Sequence, residues 1–307
     1  MDFATYQQRA LLTDQAPLPT DGEPDGRAML VPLLGLAGEV GELLSEYKKL
    51  LRDGKSHKLF QDRVAEELGD LLWYLSNAAT KFGLDLDEVA ARNLAKCRDR
   101  WAVVDRSHLD TMSRPIALDA GFPEAERLPR QFVVVIEPVD GGSRVMIRAL
   151  VNGRQAGDDL TDNAYEDDGY RFHDVFHLAY AAVLGWSPVL RQLLRRKRKS
   201  MARVDEVEDG GRAKAIEEGI SAMVFSYAVD HNFLDGAEGV DFDLLRTIKR
   251  MTAHLEVSRC SAGEWERAIL VGFEVWRRLR ALGGASLAID LDAGTIRLVQ
   301  QSADVPA

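Results

Sequence analysis

Four acidic side chains have the residue types and the spacing of a divalent metal site. Glu39 and Glu42 form one pair, and Glu67 and Asp70 form a second. Residues three apart in an α-helix project from the same side, so two such helices packed face to face would surround one small cavity with carboxylates. Four unpaired anions repel one another, and a hard cation such as Mg²⁺ or Mn²⁺, which takes oxygen ligands and commonly bridges substrate phosphates, relieves that repulsion. The two pairs therefore predict phosphate chemistry.

Each pair lies inside an apolar helical pattern. In residues 36–44, Gly38 and Gly41 flank the first pair and cost roughly 1 kcal/mol each in helix propensity relative to Ala, so we expect close helix approach there. In residues 64–75, the apolar side chains follow the helical period. The alternative is that these acids are ordinary surface residues. The presence of two similar pairs favours the site.

Further short segments accompany the two acidic pairs: Tyr6-Gln7, residues 35–42 (GLAGEVGE), Lys48-Lys49, residues 67–74 (ELGDLLWY), residues 93–96 (NLAK) and Arg100. Through these segments, residues from about Tyr6 to Trp101 resemble the MazG-like nucleoside triphosphate pyrophosphohydrolases, members of the all-α NTP pyrophosphatase group.

This resemblance implies hydrolysis of the α–β phosphoanhydride of (deoxy)nucleoside triphosphates, giving a monophosphate and pyrophosphate. It also implies that Mg²⁺, with Mn²⁺ as an alternative, is held by the four acids, which are the expected catalytic and metal-binding residues. The expected contacts to phosphate or sugar are Lys49, Asn93, Lys96 and Arg100. The general base stays open among the four acids, Glu46 and Glu66.

Three of those substrate candidates share one helical face. Asn93, Lys96 and Arg100 fall at i, i+3 and i+7 of a helix that Asp85 or Asp87 would cap. A cationic face suits an anionic ligand. The alternative is a solvated surface on which the two cations pair with nearby acids.

Composition predicts a cytoplasmic enzyme and disfavours other classes. The 307 residues are 46% hydrophobic and 29% charged, enough for a sizeable core and two domains. The net charge of −10 disfavours broad binding to nucleic acid or anionic membrane. We expect no bilayer-spanning run and no signal peptide. Cys97 and Cys260 are far apart and lack metal-ligand spacing, which favours reduced thiols.

The predicted fold is mainly α, with a four-helix MazG-like unit in residues 1–104, a linker in residues 105–130 and a second, mostly helical domain in residues 131–307 that carries a small antiparallel sheet. The four helices are expected at about residues 3–13, 31–51, 58–82 and 85–104, with a loop from Pro17 to Gly26. Two hairpins are expected, one from residues 132–136 and 144–151 and the other from residues 286–290 and 295–299. They are expected to form one sheet.

The second domain is a candidate for a divergent copy of the first. Asp174 and His177 have the spacing of the first acidic pair, and Glu218 and Ser221 that of the second. Such a copy would hold a different metal, bind nucleotide without turnover or complete a pseudo-dimer. Chance similarity of apolar helices is the alternative.

His173 and His177 have the i, i+4 spacing of helix metal ligands, and the His173-Asp174 doublet is typical of HD-type metallophosphohydrolases. The other motifs of that class are missing from the sequence, so buried, hydrogen-bonded histidines are the simpler interpretation.

A basic run in residues 191–203 is followed by Asp205, Glu206, Glu208 and Asp209. Phosphate or nucleic acid would suit the run, but a solvated helix end neutralised by those acids is the more economical interpretation.

The leading hypothesis is a Mg²⁺-dependent nucleotide pyrophosphohydrolase. The alternatives are a nucleotide-sensing regulatory protein and a hydrolase whose main site lies in the second domain. The four intact acids favour the enzyme. The resemblance also implies a homo-oligomer, for which an internal pseudo-dimer could substitute. Trp73 and Tyr74 are candidates for stacking on a nucleobase.

Overall fold

The computed structural model describes residues 1–15, 26–101, 117–141 and 144–299. The chain divides into two compact units, Met1–Arg98 and Asp99–Ala307. Its mainly helical character with one small antiparallel sheet confirms the predicted fold class.

The helices of the first unit are α1 (Phe3–Leu11), α2 (Gly26–Asp53), α3 (Phe60–Lys81) and α4 (Leu86–Trp101), of which the last three residues belong to the second unit. Helix α2 extends beyond the predicted residues 31–51 at both ends. Most of the predicted loop from Pro17 to Gly26, and the last residues of the predicted fourth helix, lie outside the described residues.

Local capping explains where two of these helices begin. The Asp2 carboxylate accepts a hydrogen bond from the Thr5 amide at 2.8 Å, and Asp85 accepts one from the Glu88 amide at 3.0 Å. Asp85 is therefore the cap of α4. The Gln7 side chain ties α1 to the turn between α3 and α4, since its amide donates to the Leu84 carbonyl and its oxygen accepts from the Leu86 amide.

Helices α2 and α3 pack against each other, and the glycine that permits their approach is Gly35. A Cβ atom at this position would lie 2.2 Å from the Tyr74 ring. The expected close approach at Gly38 and Gly41 is wrong within the described residues, because a Cβ at either position would meet nothing within 4 Å.

Helix α2 leaves much of its apolar surface exposed. Leu34 and Leu44 are 61% and 63% exposed. Among the described residues, Ala28–Ser56 is one helical stretch long and apolar enough, by length and composition, to cross a membrane, and only 11% of its most apolar window is buried. The expectation that no apolar run reaches this length was wrong, because the charged residues of α2 are concentrated towards its C-terminal half and its most apolar window of 18 residues holds no more than two of them. Core helices of soluble proteins and signal sequences have the same composition, so this feature alone assigns no membrane role.

The second unit is built around two closely packed helices, α5 (Asp174–Leu184) and the longer α10 (Ala262–Leu282). Gly272 of α10 faces Phe176 of α5, where an added Cβ would lie 3.1 Å from the ring. The other helices of this unit are α6 (Pro188–Leu193), α7 (Ala202–Val207), α8 (Gly211–Val229) and α9 (Phe242–Met251).

The two predicted hairpins form one sheet, as expected. Its strands are β1 (Gln131–Gly141), β2 (Arg144–Val151), β3 (Arg154–Gln155), β4 (Ala285–Asp290) and β5 (Thr295–Val299), in the order β3-β2-β1-β4-β5. All pairings are antiparallel, and β1 joins the hairpins by pairing Phe132 with Ile289 and Val134 with Leu287. Alternate β1 side chains, including Phe132, Val134 and Ile136, are buried, as expected of a sheet with one face on the core.

Residues 117–130, which end the predicted linker, pack into the second unit. Leu128 is buried in its core, and its amide donates to the buried Asp119 carboxylate at 2.8 Å. Residues 102–116 lie outside the described part of the chain.

Two arginines of the basic run differ from its solvated interpretation, whereas Arg195 and Lys199 are exposed as expected. Arg191 and Arg198 are buried, with side chains 2% and 1% exposed. Arg191 pairs with Asp119 at 2.9 Å, and Arg198 pairs with Asp209 at 2.7 Å and with Glu256 at 2.6 Å. Neutralisation by Asp209 was expected. Burial of the two arginines was not expected, because the sequence does not reveal that Asp119 and Glu256 lie next to them in the fold.

Candidate functional site

Helices α2 and α3 bring three of the four predicted acids together. Carboxylate oxygens of Glu39, Glu67 and Asp70 all lie within 4.8 Å of one another. Glu39 and Glu67 are partly buried and Asp70 is exposed. This acid cluster, defined as Glu39, Glu67 and Asp70, offers oxygen donors only, which is the donor set that Mg²⁺ and Mn²⁺ take.

Glu42 lies at the margin of the acid cluster. It is exposed and is not one of the three residues with mutually close oxygens. Its charge nevertheless acts on Glu67. The pKa of Glu67 is raised, first by burial, then by a hydrogen bond with Glu39 and by the charges of Glu39, Glu42 and Glu66. A raised carboxyl pKa means that the anions here are incompletely compensated, so a cation would be stabilised.

The two other candidates for the general base have partners of their own. Glu46 is buried, forms an ion pair with Lys49, and contacts His57 Nε2 at 2.9 Å. The hydrogen bond from Lys49 is the main reason that the pKa of Glu46 is lowered, which makes Glu46 a weak base. Glu66 pairs with Arg63 at 2.7 Å on the exposed surface of α3.

The predicted substrate contacts have different surroundings. Lys49 is bound to Glu46. Asn93 and Lys96 are exposed on α4, where the Asn93 oxygen accepts a weak contact from the Cys97 thiol at 3.6 Å. Arg100 belongs to the second unit, donates to the Val240 carbonyl at 2.9 Å and lies 3.9 Å from Glu266. The substrate role of these residues stays a prediction.

The aromatic candidates are held by local contacts. Trp73 and Tyr74 pack edge to face with ring centroids 4.9 Å apart, and the Trp73 indole donates to the Thr13 hydroxyl at 2.8 Å. Because Tyr74 also covers Gly35, it contributes to helix packing.

A second cluster contains the predicted histidines, in line with the interpretation of buried, hydrogen-bonded side chains. His177 is 1% exposed, and its Nδ1 contacts the fully buried Glu217 carboxylate at 2.8 Å. Glu218 Oε2 lies 3.4 Å from His177 Nε2. Burial alone lowers the pKa of His177, but the charges of Glu217 and Glu218 outweigh burial and raise it.

Sequence reasoning missed the part played by Glu217. This carboxylate also accepts from the Ser187 hydroxyl at 2.6 Å and from the Val189 amide at 2.8 Å. The Glu217-Glu218 doublet was visible, but only Glu218 was singled out. The signal that could have found Glu217 is its helical phase, because it lies three residues before the buried Ile220 of α8.

Comparison with known families accounts for both units. A model of the MazG C-terminal domain matches residues 113–302, and a model of the MazG nucleotide pyrophosphohydrolase domain matches residues 30–104. The chain therefore belongs to the MazG family. Its first unit carries the nucleotide pyrophosphohydrolase domain, which confirms the resemblance drawn from the acidic motifs.

Part of the chain is similar to a curated phage protein. Gene 37 protein of Mycobacterium phage L5 is 35% identical over 103 residues, which cover 33% of this chain and 89% of the relative. No solved structure matches the chain.

Proposed function

We propose that this chain hydrolyses (deoxy)nucleoside triphosphates to the monophosphate and pyrophosphate, with Mg²⁺ or Mn²⁺ held by Glu39, Glu42, Glu67 and Asp70. The observation that carries the proposal is the convergence of Glu39, Glu67 and Asp70 oxygens within 4.8 Å across α2 and α3. The family match over residues 30–104 supports the same class of reaction.

The residues present fit a hard divalent cation. Every donor in the acid cluster is a carboxylate oxygen, and the raised pKa of Glu67 reflects burial and uncompensated negative charge. Bound there, the ion would neutralise triphosphate charge and lower the pKa of a water molecule.

The chain's own residues would position the substrate and move the proton. Glu46 and Glu66 are engaged in ion pairs, so we place the general base among the four acids. Lys49 would bind phosphate by exchanging its Glu46 partner for a phosphate oxygen. Asn93, Lys96 and Arg100 remain candidates for the same task.

Release of pyrophosphate rather than orthophosphate tests the reaction. We would assay a panel of NTPs and dNTPs with Mg²⁺, using wild type, Asp70→Asn and the matched control Asp62→Asn, which removes an exposed carboxylate from the first turn of α3. Asp70→Asn should lose at least about 100-fold in rate, the scale of losing one preorganised electrostatic group. Asp62→Asn should keep near wild-type rate.

Two results would contradict the proposal. If wild type binds nucleotides but releases no pyrophosphate, the chain is a sensor. If pyrophosphate release survives both Asp70→Asn and Glu42→Ala, the reaction belongs to a different site, with the second unit as the first place to search.

We also propose that the first unit associates with a second copy. The supporting observation is the exposed apolar surface of α2 and α3, which includes Leu34, Leu44 and Leu68 at 61%, 63% and 51% exposure. Sedimentation equilibrium of wild type and Leu44→Glu tests this association, and a monomeric wild type would exclude it.

A further inference from the structure

Three side chains of the second unit converge from two helices with the donor types of a transition-metal site. His173 immediately precedes α5, His177 lies in its first turn, and Glu218 lies in α8. One ligand atom from each of the three lies within 4.8 Å of the other two. This histidine cluster, defined as His173, His177 and Glu218, contains imidazoles and is therefore chemically distinct from the acid cluster.

Hydrogen bonds orient both imidazoles with Nε2 towards the cluster. His173 Nδ1 lies 2.9 Å from the Tyr170 carbonyl, to which it must donate, so Nε2 carries the lone pair in the neutral ring. His177 Nδ1 lies 2.8 Å from Glu217 Oε1, which fixes the same tautomer in the neutral ring. Metal-ligating histidines commonly use one nitrogen for a carbonyl or carboxylate and the other for the ion.

Outer contacts hold these orientations. Glu217 is itself fixed by the Ser187 hydroxyl and the Val189 amide. The Tyr170 ring stacks on His173 with centroids 4.6 Å apart and an interplanar angle of 8°. Both rings are therefore restrained before any ligand binds.

One atom of the histidine cluster, His177 Nε2, lacks a hydrogen-bond partner among the described residues. It is also buried. Its distance of 3.4 Å to Glu218 Oε2 exceeds the usual range for a hydrogen bond. Two ligands about 2.0–2.2 Å from one tetrahedral ion lie about 3.3–3.6 Å apart, so the spacing is that of two ligands on a shared metal.

We propose that His173, His177 and Glu218 bind a divalent transition-metal ion through two Nε2 atoms and a carboxylate oxygen. Zn²⁺ is the probe that the donor set favours, since imidazole suits Zn²⁺ better than Mg²⁺. The Glu218 side chain is 47% exposed, so the ion has a path from solvent. Asp174 Oδ1, 3.7 Å from His173 Nε2, lies near enough to supply a further oxygen.

Such an ion would join α5 to α8. Without it, the Nε2 atom of His177 can carry a proton that faces Glu218. Metal and proton therefore compete for one lone pair.

Metal binding to the full chain tests the site directly. We would titrate Zn²⁺ by calorimetry, and Co²⁺ by its visible absorbance, in millimolar Mg²⁺ so that the acid cluster is saturated by the competing hard ion. Wild type should bind one equivalent. His173→Asn and Glu218→Gln should each weaken binding by more than the 10- to 100-fold typical of losing an outer partner, because each removes a ligand.

Controls separate this site from the acid cluster and from general surface binding. Glu274→Gln removes an exposed carboxylate of the same unit and should leave Zn²⁺ affinity unchanged. Asp70→Asn should also leave it unchanged, whether or not that variant hydrolyses nucleotides. Circular dichroism would verify that each variant is folded.

Absence of Zn²⁺ and Co²⁺ binding by wild type would overturn the proposal and leave a purely structural ion pair. Binding that survives both His173→Asn and Glu218→Gln would overturn it equally, because the ion would then occupy other residues.

Discussion

Two sets of carboxylates, one in each unit, have opposite surroundings. In the second unit, Asp209 and Glu217 are fully buried, and each is bonded to a cationic or imidazole partner, Arg198 and His177. In the first unit, Glu39 of α2 lies close to Glu67 and Asp70 of α3, and burial together with the neighbouring acids raises the pKa of Glu67. Buried acids whose partners come from the chain hold the fold together. Partly exposed acids that face one another are suited to a cation from solution.

Breaking the buried ion network should produce the largest loss of stability. Arg198→Ala would leave Asp209 buried without its main partner and deprive Glu256 of its ion pair. Removing one partner of a buried pair typically costs about 3–5 kcal/mol. Chemical denaturation, monitored by circular dichroism, measures this loss.

The matched control is Arg278→Ala, which removes an exposed arginine paired with Glu274 on α10. Its effect on the free energy of unfolding should stay within about 1 kcal/mol, because exposed pairs contribute little. Equal losses in the two variants would mean that the Arg198 network is not a structural centre.

Neighbouring glutamates of α8 should differ in their effect on stability. Glu217→Gln keeps the shape of the side chain but cannot accept from His177, Ser187 and Val189 as the carboxylate does, so one of these donors loses its acceptor. We expect a loss of about 1–3 kcal/mol. Glu218 is half exposed, so Glu218→Gln should cost less metal-free stability, up to about 1 kcal/mol. Thermal unfolding in a metal chelator would compare the two, and a reversed order would refute the assignment of Glu217 as the structural partner.

Two glycines of α2 have different surroundings, so alanine at each should change stability in opposite directions. Gly35→Ala would drive a methyl group into the Tyr74 ring and should destabilise the first unit by about 1–3 kcal/mol. Gly38→Ala meets nothing within 4 Å in the described chain and should stabilise α2 by up to about 1 kcal/mol. Thermal unfolding measures both. A destabilising Gly38→Ala would instead indicate that a second copy packs closely against this face.

The sequence predicted the parts of the fold whose signals are local. Apolar periodicity located all four helices of the first unit, and β-branched runs located both hairpins. The i, i+3 spacing of two acidic pairs, with the expected packing of their helices, predicted that four acids converge, and Glu39, Glu67 and Asp70 do so while Glu42 lies at the margin.

Contacts between residues that are far apart along the chain could not be predicted from the sequence. The partners of Arg198 come from Asp209 and Glu256, and His177 finds Glu217 forty residues away along the chain. No local sequence pattern predicts that these charged residues are buried, since residues of their types usually lie on the surface. Gly35 was overlooked for the same reason, because the Tyr74 ring that requires it belongs to α3.

The smallest expected effect is the pH dependence of the acid cluster. The raised pKa of Glu67 means that the metal-free folded chain holds this proton more tightly than the unfolded chain does. The contribution of Glu67 to stability is therefore fully present below its ordinary pKa and is lost as pH rises through its raised pKa.

Magnesium should act in the opposite sense, since it binds the deprotonated acids and its stabilisation should grow over the same pH range. The difference in melting temperature with and without Mg²⁺ should thus be larger at about pH 7.5 than at about pH 5. In Glu67→Gln this pH dependence should flatten, whereas Asp62→Asn should retain it. If the increase in melting temperature caused by Mg²⁺ were independent of pH in wild type, the ion would be held away from Glu67. The acid cluster would then lose its role as a cation site.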